Sequence, residues 1–315
     1  MPGPHPLLVH AALIFVSLLF GVNFVGMKLI LAELEPGAWA MYRVAGATLL
    51  LVPLSLVIAK RRQLPDTRTM LWLVPAAILG VGANQLLFVM GLKLTTPAHS
   101  SVITATIPIL TLIAAVVARQ ERMHLGRTLG IALACLGVLT LFRADELLAG
   151  AGGAIDDDVL AGDLLTVANA SGYAIYLVMM RRLGRRIEAP IATAICFGYS
   201  TLFVLPFGLS AFQSANVATL VAPNILPWAL YAIVGSTALT YLLNVWALRH
   251  TNSSQVALYI YIQPVVATSL SFALGQDRPG PRFFLAAGLV FAGLMADTLP
   301  QLVRARRARF AVASE

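Results

Sequence analysis

Apolar residues run along this chain in long stretches, separated by short clusters that are mostly basic. Ten stretches stand out: 7–31, 37–59, 71–92, 97–118, 128–143, 160–180, 190–211, 227–247, 255–274 and 283–300. A helix needs about 20 mostly apolar residues to cross a hydrocarbon core about 30 Å thick. All ten are near that length, the fifth being the shortest. An unpaired backbone group in lipid costs several kcal/mol, so each stretch is expected to be helical. The pattern therefore predicts an all-α integral membrane protein with ten transmembrane helices. Connections are short, the longest running from Arg143 to about Leu160, and none can hold a soluble domain. The first stretch exceeds the roughly 7–15 apolar residues of a signal peptide and has no Lys or Arg before it, so it is expected to be a retained span.

Composition agrees. Of 315 residues, 59% are hydrophobic and 11% charged, and mean hydropathy is +0.83. Soluble domains carry about 25% charged residues, so a soluble enzyme and a disordered chain are both excluded. The net charge of +8 raises the question of nucleic acid, but position along the chain answers it differently. Sixteen of the 22 basic residues fall in alternate loops and the C-terminal tail: Lys60, Arg61, Arg62 and Arg68; Arg119, Arg122 and Arg127; Arg181, Arg182, Arg185 and Arg186; Arg249; and Arg304, Arg306, Arg307 and Arg309. The opposite side holds most of the acids, including Glu33, Glu35, Asp156, Asp157, Asp158 and Asp163. Basic loops mark the cytoplasmic face, so both termini are expected there and no nucleic-acid partner is expected. Cys135 and Cys196 both sit in apolar runs, which argues against a disulfide framework or a cysteine metal site.

The second half of the chain echoes the first. A shift of 156 residues places Trp72 on Trp228, Leu92-Lys93 on Leu248-Arg249, Thr95 on Thr251, Pro108 on Pro264, Gln120-Glu121 on Gln276-Asp277, and Gly137 on Gly293. The first two spans pair less clearly with the sixth and seventh. The chain thus divides into two units, residues 1–150 and 151–315, each with five spans. Five is odd, so the second unit enters the membrane from the opposite side. Inverted five-helix repeats around a central cavity are a recurrent build of secondary transporters, with the substrate near the midplane.

Within the same register Gln85 falls on Tyr241, Phe88 on Asn244 and Asn84 on Thr240. Gln85/Phe88 and Tyr241/Asn244 are each spaced i,i+3, one helix face in both halves. Aromatics stack on apolar groups, and amides recognise carboxylate and ammonium without fixed charge. Interhelical hydrogen bonding is the plainer alternative. Asn169, Tyr173 and Tyr176 form an i, i+4, i+7 stripe suited to lining a cavity or to packing. Tyr259 and Gln263 lie one turn apart beside Pro264, and Pro108 and Pro264 are candidate flexing points. His99, at the outer start of the fourth span, is a candidate substrate or proton contact. Arg43 lies several residues inside the second span, where a cation costs about 2.5–3.5 kcal/mol at full depth. It is expected in the outer third, reaching the interface or pairing with Glu33 or Glu35, with Lys28 behaving alike. A contact from Arg43 to a substrate carboxylate is the sharper alternative. Gly126-x-x-x-Gly130 and Gly288-x-x-x-Ala292 are expected to pack helices inside one chain, which favours a monomer over a dimer.

These residues resemble the drug/metabolite transporter superfamily, specifically its ten-span EamA-type exporters. Phe20-Gly21-Val22-Asn23-Phe24 is similar to that family's aromatic-Gly-x-Asn-Phe segment. Pro36 with Arg43 is similar to its entry into the second span, and Pro108, Arg119-Gln120-Glu121-Arg122 and the glycines at 126, 130 and 137 to its fourth and fifth spans. Phe20 stands where Trp is commoner, and Gly275-Gln276-Asp277 replaces the usual small-x-Glu. The resemblance implies a cavity lined by helices one, three, four, six, eight and nine, with five and ten to the side, and adds Asn23 to the cavity candidates. It implies a location in the bacterial inner membrane and export of small neutral or zwitterionic metabolites, amino acids including aromatic ones foremost. A multidrug or other metabolite exporter of the same fold is the alternative, and a polytopic membrane enzyme a more distant one. No G-x-x-x-x-G-K-[ST], H-E-x-x-H or G-x-S-x-G occurs, so neither an ATP-driven pump nor a familiar hydrolase is expected. No cofactor or metal is expected, and the partners are membrane lipid and a small-molecule substrate.

Overall fold

The computed structural model describes residues 6–59, 65–120, 125–141, 156–184, 186–276, 278, 280–293 and 295–296. The basic clusters at 60–62 and 304–309, most of the 143–160 connection and the Glu121/Asp277 pair fall outside them. The described residues are almost entirely helical and contain no strand. Eight helices are long and apolar enough to span a membrane: α1 (Leu7–Glu33), α2 (Pro36–Ile58), α3 (Thr67–Leu94), α4 (Pro97–Val117), α6 (Asp157–Leu183), α7 (Ala189–Phe212), α8 (Leu226–Leu248) and α9 (Gln255–Ala273). Two shorter apolar helices also occur among the described residues, α5 (Leu125–Leu141) and α10 (Pro281–Gly293). At 1.5 Å per residue these reach only about 25 and 20 Å.

Local chemistry sets several boundaries. Pro36 opens α2 and Pro97 opens α4, positions where a missing N–H is harmless. The Thr96 hydroxyl accepts the His99 N–H at 3.2 Å, and the Asp156 carboxylate accepts the Asp158 N–H at 3.0 Å at the head of α6. Asp157 and Asp158 add negative charge in the first turn, where the helix dipole favours it.

Five spans are not uniform α-helix: α7 ends in a 3₁₀ stretch, Leu205–Phe212, that has no counterpart in α2, while the irregularities of the other four correspond. In α3, Ile78–Gly82 is wound as a π-helix; in α8, Tyr231–Leu239 is. In α4 the winding breaks at Ala105 and Thr106, just before Pro108; in α9 a 3₁₀ turn, Tyr259–Tyr261, precedes Pro264. The 156-residue shift carries 78–82 into 231–239, and 105–106 onto 261–262, at the end of the 3₁₀ turn. Helix pairing has the same symmetry. α3 and α4 pack on α6, α8 and α9 pack on α1, and α2 packs on α7, so exchanging the halves exchanges the pairings. α5 and α10 stand against each other, where a Cβ on Gly137 would come within 2.8 Å of the Ala286 carbonyl and of Val290. Gly288 does not share this role: it is exposed, with nothing within 4 Å of where its Cβ would be.

Candidate functional site

At the centre of the bundle a small cavity of about 60 Å³ opens among α1, α2, α3, α4, α6, α8 and α9, room for a few waters. Nine of the sequence candidates line it: Asn23, Arg43, Asn84, Gln85, Phe88, Asn169, Tyr173, Tyr241 and Gln263. Phe20, Phe24, Thr104, Ile107 and Ile260 complete the wall. The π-wound stretches end just before Asn84-Gln85 and Tyr241, so the irregular winding aims both cavity faces.

Among the described residues, Arg43 is the one charge in the wall. It is 1% exposed, far from the interface position expected for it, and neither Glu33 nor Glu35 pairs with it. Glu35 instead accepts the Ser210 hydroxyl. The physical reason lies across the bundle, in the π-wound part of α8. There Arg43 Nε donates to Thr237 Oγ1 at 2.6 Å, and Nη2 meets Ser236 Oγ at 3.3 Å and the Ser236 carbonyl at 3.4 Å. Nη2 also reaches Asn23 Oδ1 at 3.3 Å, and Ser236 Oγ donates to the same Asn23 oxygen at 2.6 Å. The guanidinium carbon lies 5.9 Å from the Phe88 ring centre, within cation–π range. These neutral partners hold two of its nitrogens. The third, Nη1, is buried and has no partner. Gln85 Oε1 and Thr104 Oγ1, in the same wall, are also buried without partners. Buried polar atoms are normally satisfied; other unpartnered ones are scattered through the bundle, but these three face one cavity. One is a cationic donor and two can accept.

The remaining wall is built for rigidity. Asn84 Nδ2 donates to the Asn169 carbonyl at 3.3 Å, and Asn169 Nδ2 returns a bond to the Asn84 carbonyl at 2.7 Å, tying α3 to α6. The Tyr241 hydroxyl donates to the Gly80 carbonyl at 2.8 Å and lies 3.2 Å from Asn84 Oδ1. Tyr241 meets Tyr173 and Phe197 edge-on, with ring centres 6.1 and 5.1 Å apart, geometries that favour aromatic pairs.

Four candidates lie elsewhere. Asn244 donates to the Tyr173 hydroxyl at 2.9 Å and lines a smaller adjoining void with Tyr173 and Gln263. Tyr176 is wholly buried behind the wall, pressed on Gly80, where any side chain would collide with its ring. Tyr259 bonds His10 on α1 at the edge of the α1–α9 contact. His99 Nδ1 lies 3.1 Å from Asp163 Oδ2, while the Thr95 hydroxyl donates to Asp163 Oδ1 at 2.5 Å. These contacts join α3, α4 and α6 where α3 ends and the other two begin. Lys28 also acts there: its Nζ donates to the carbonyls of Leu92, Lys93 and Thr95 at 2.9, 3.1 and 2.5 Å. It closes the end of α3 rather than reaching for Glu33 or Glu35, and Lys93 closes α1 through the Leu31 carbonyl. Among the residues that sequence reasoning passes over, Phe20 and Phe24 flank Asn23 in one motif, and Thr104 is a hydroxyl one turn before Pro108. Ser236 and Thr237 give no signal, because their role depends on a partner 194 positions away.

A model of the EamA-like transporter family matches residues 7–143 and again residues 160–296. A protein of Archaeoglobus fulgidus described as an uncharacterized transporter is 26% identical over 295 residues, covering 93% of this chain and 98% of its own. YoaV of Bacillus subtilis, likewise described as an uncharacterized transporter, is 23% identical over 92% of this chain and 96% of its own length. The plant protein WALLS ARE THIN 1 of Arabidopsis thaliana is 23% identical over 92% and 82%. A crystal structure superposes with a TM-score of 0.64 at 18% identity, covering 91% of this chain and 96% of that one, a likeness of fold.

Proposed function

We propose, since this chain belongs to the EamA-like transporter family, that it exports small zwitterionic solutes, amino acids including aromatic ones, by binding their carboxylate at Arg43. The chain is a multi-span membrane transporter of the drug/metabolite type and not an enzyme. The observation that carries the substrate class is the idle Nη1 of Arg43 in a cavity whose described wall holds no acid. A guanidinium with a free edge suits a carboxylate. Gln85 Oε1 and Thr104 Oγ1 can accept from an ammonium group, and Phe20, Phe24, Phe88, Tyr173 and Tyr241 offer faces to the side chain. A second fixed charge on the solute would have no partner there.

In this proposal ten spans form two inverted five-helix repeats, 1–150 and 151–315, rocking around the cavity. The twofold family match, the corresponding irregularities and the exchanged pairings support it. The breaks before Pro108 and Pro264 are where α4 and α9 bend. The cavity holds only a few waters as it stands, so it widens to take a solute. The protein works as a monomer in the bacterial inner membrane, with both termini cytoplasmic.

The test is counterflow in proteoliposomes with labelled phenylalanine and alanine, beside phenethylamine, which lacks the carboxylate. Exchange of both amino acids and none of the amine is expected. Exchange of organic cations with no amino acid exchanged would overturn the assignment. Repeating the assay with and without a pH gradient distinguishes proton-coupled from uncoupled export.

A further inference from the structure

A second, larger cavity lies at the end of the bundle where α3 begins and α4 and α6 end. It encloses about 560 Å³. Three arginines reach it: Arg68 from the first turn of α3, and Arg182 and Arg186 from the end of α6 and just beyond. Arg182 Nη2 donates to the Ala118 carbonyl at 2.6 Å, which fixes its stem across the end of α4. Among the described residues no acid lines the cavity. Asp66, two residues from Arg68, already accepts the Thr69 hydroxyl, a bond that with help from Arg186 keeps its carboxyl below the usual range. Positive charge is therefore in surplus. Apart from the arginines, Thr69 and Gln120, the wall is apolar, with Met179 and Leu183 from α6 and the Trp72 ring from α3. Trp72 is 55% exposed and its neighbour Leu71 66%. An indole and a leucine open to the surroundings on a membrane helix place this mouth toward lipid, at the depth where tryptophan rings prefer to sit.

We infer that this cavity is a binding site for the headgroup of an anionic phospholipid, with the phosphate held by Arg68, Arg182 and Arg186 and the glycerol end lying over Trp72, Met179 and Leu183. Two features favour lipid over a free anion. The arginines rim a wall that is mostly apolar, which a hydrated inorganic ion would leave dry and unpaired. The mouth also lies on the perimeter of the bundle, away from the central cavity and its idle donor. Basic pockets between spans on the positively charged face suit such headgroups. A headgroup here bridges the ends of α3, α4 and α6, so it would brace the helices that carry Asn84, Gln85, Thr104 and Tyr173.

Delipidated protein in neutral detergent would be titrated with phosphatidylglycerol, with phosphatidylcholine and with inorganic phosphate, and bound lipid counted by native mass spectrometry. Phosphatidylglycerol is expected to bind at least tenfold tighter than phosphatidylcholine, and millimolar phosphate to leave it in place. The double variant R68Q/R186Q is expected to lose about thirtyfold in phosphatidylglycerol affinity, the effect of removing two cations beside an anionic headgroup. Both side chains are exposed, and an unchanged melting profile would show that the variant is folded. Equal binding of the two lipids by the unaltered protein, displacement of phosphatidylglycerol by phosphate, or wild-type affinity in the folded variant would each overturn the site. The two-lipid comparison decides the matter even where the variant fails to fold.

Discussion

Lys28 and Arg43 are both cations set into membrane helices, yet the protein treats them in opposite ways. Lys28 directs its ammonium at three carbonyls at the end of α3. Those carbonyls lack intrahelical partners because the helix stops there, so the ammonium and the helix end satisfy one another. Arg43 has a richer set of neighbours and is still left with one nitrogen idle. All of those neighbours are neutral. A fully matched cation is a rivet; a cation matched on two sides and open on the third faces whatever enters the cavity. The distinction lies in geometry, since both residues carry the same charge in similarly apolar helices.

That contrast can be broken by substitution. The largest effect is expected from Arg43→Gln, which should lower amino-acid counterflow by about a hundredfold, the upper end of a charged hydrogen bond's worth, with the protein still folded by size exclusion. Arg43→Lys should not rescue it, because an ammonium cannot hold Thr237, Ser236 and a carboxylate in one plane. Next, Gln85→Ala should weaken substrate affinity about tenfold, read as a raised half-saturation concentration, through loss of one acceptor. Lys28→Met should do the reverse of Arg43→Gln. Transport per folded molecule should stay within about twofold of wild type, while stability falls by about 1–3 kcal/mol as the carbonyls of α3 lose their donor, visible as a lower melting temperature. The smallest effect on affinity is expected from Asp163→Ala, which removes both oxygens that hold His99 and Thr95 at the far end of α3 and leaves the cavity untouched. If Lys28→Met abolished transport and Arg43→Gln did not, the rivet and the open cation would have to exchange roles.

The hydrocarbon core makes the span pattern legible. Water is absent there, so apolar runs translate almost directly into helices, and the eight long spans fall within a few residues of the stretches that predict them. The cavity face is legible where it repeats: Gln85, Phe88 and Tyr241 are found by register alone. Arg43 is misplaced because a hydropathy argument charges a side chain for its depth and knows nothing of Ser236 and Thr237 on another helix. Tyr173 and Tyr176 share one stripe of α6, yet only Tyr173 meets the cavity. What separates them is the missing side chain of Gly80 on α3, which gives Tyr176 a slot. Asn244 reads as a cavity residue by symmetry and instead anchors Tyr173, since the small void beside it belongs to the second layer of the wall. His99 reads as polar at an interface, but its partner Asp163 lies in a different span and no spacing rule links them.

The π-wound segments of α3 and α8 bear on how the transporter is tuned. A π turn holds more residues than an α turn, and each residue added to a helix rotates the rest of that helix by about 100°. The facing of Asn84, Gln85 and Phe88, and of Tyr241 opposite them, is thus set by backbone slack one turn upstream as much as by the side chains themselves. Taking up that slack in either helix would swing an amide-and-aromatic face out of the cavity without altering one residue of it. Selectivity in this fold can therefore change by helix register, through insertions and deletions at 78–82 or 231–239, along a route that substitution of the wall residues does not reach.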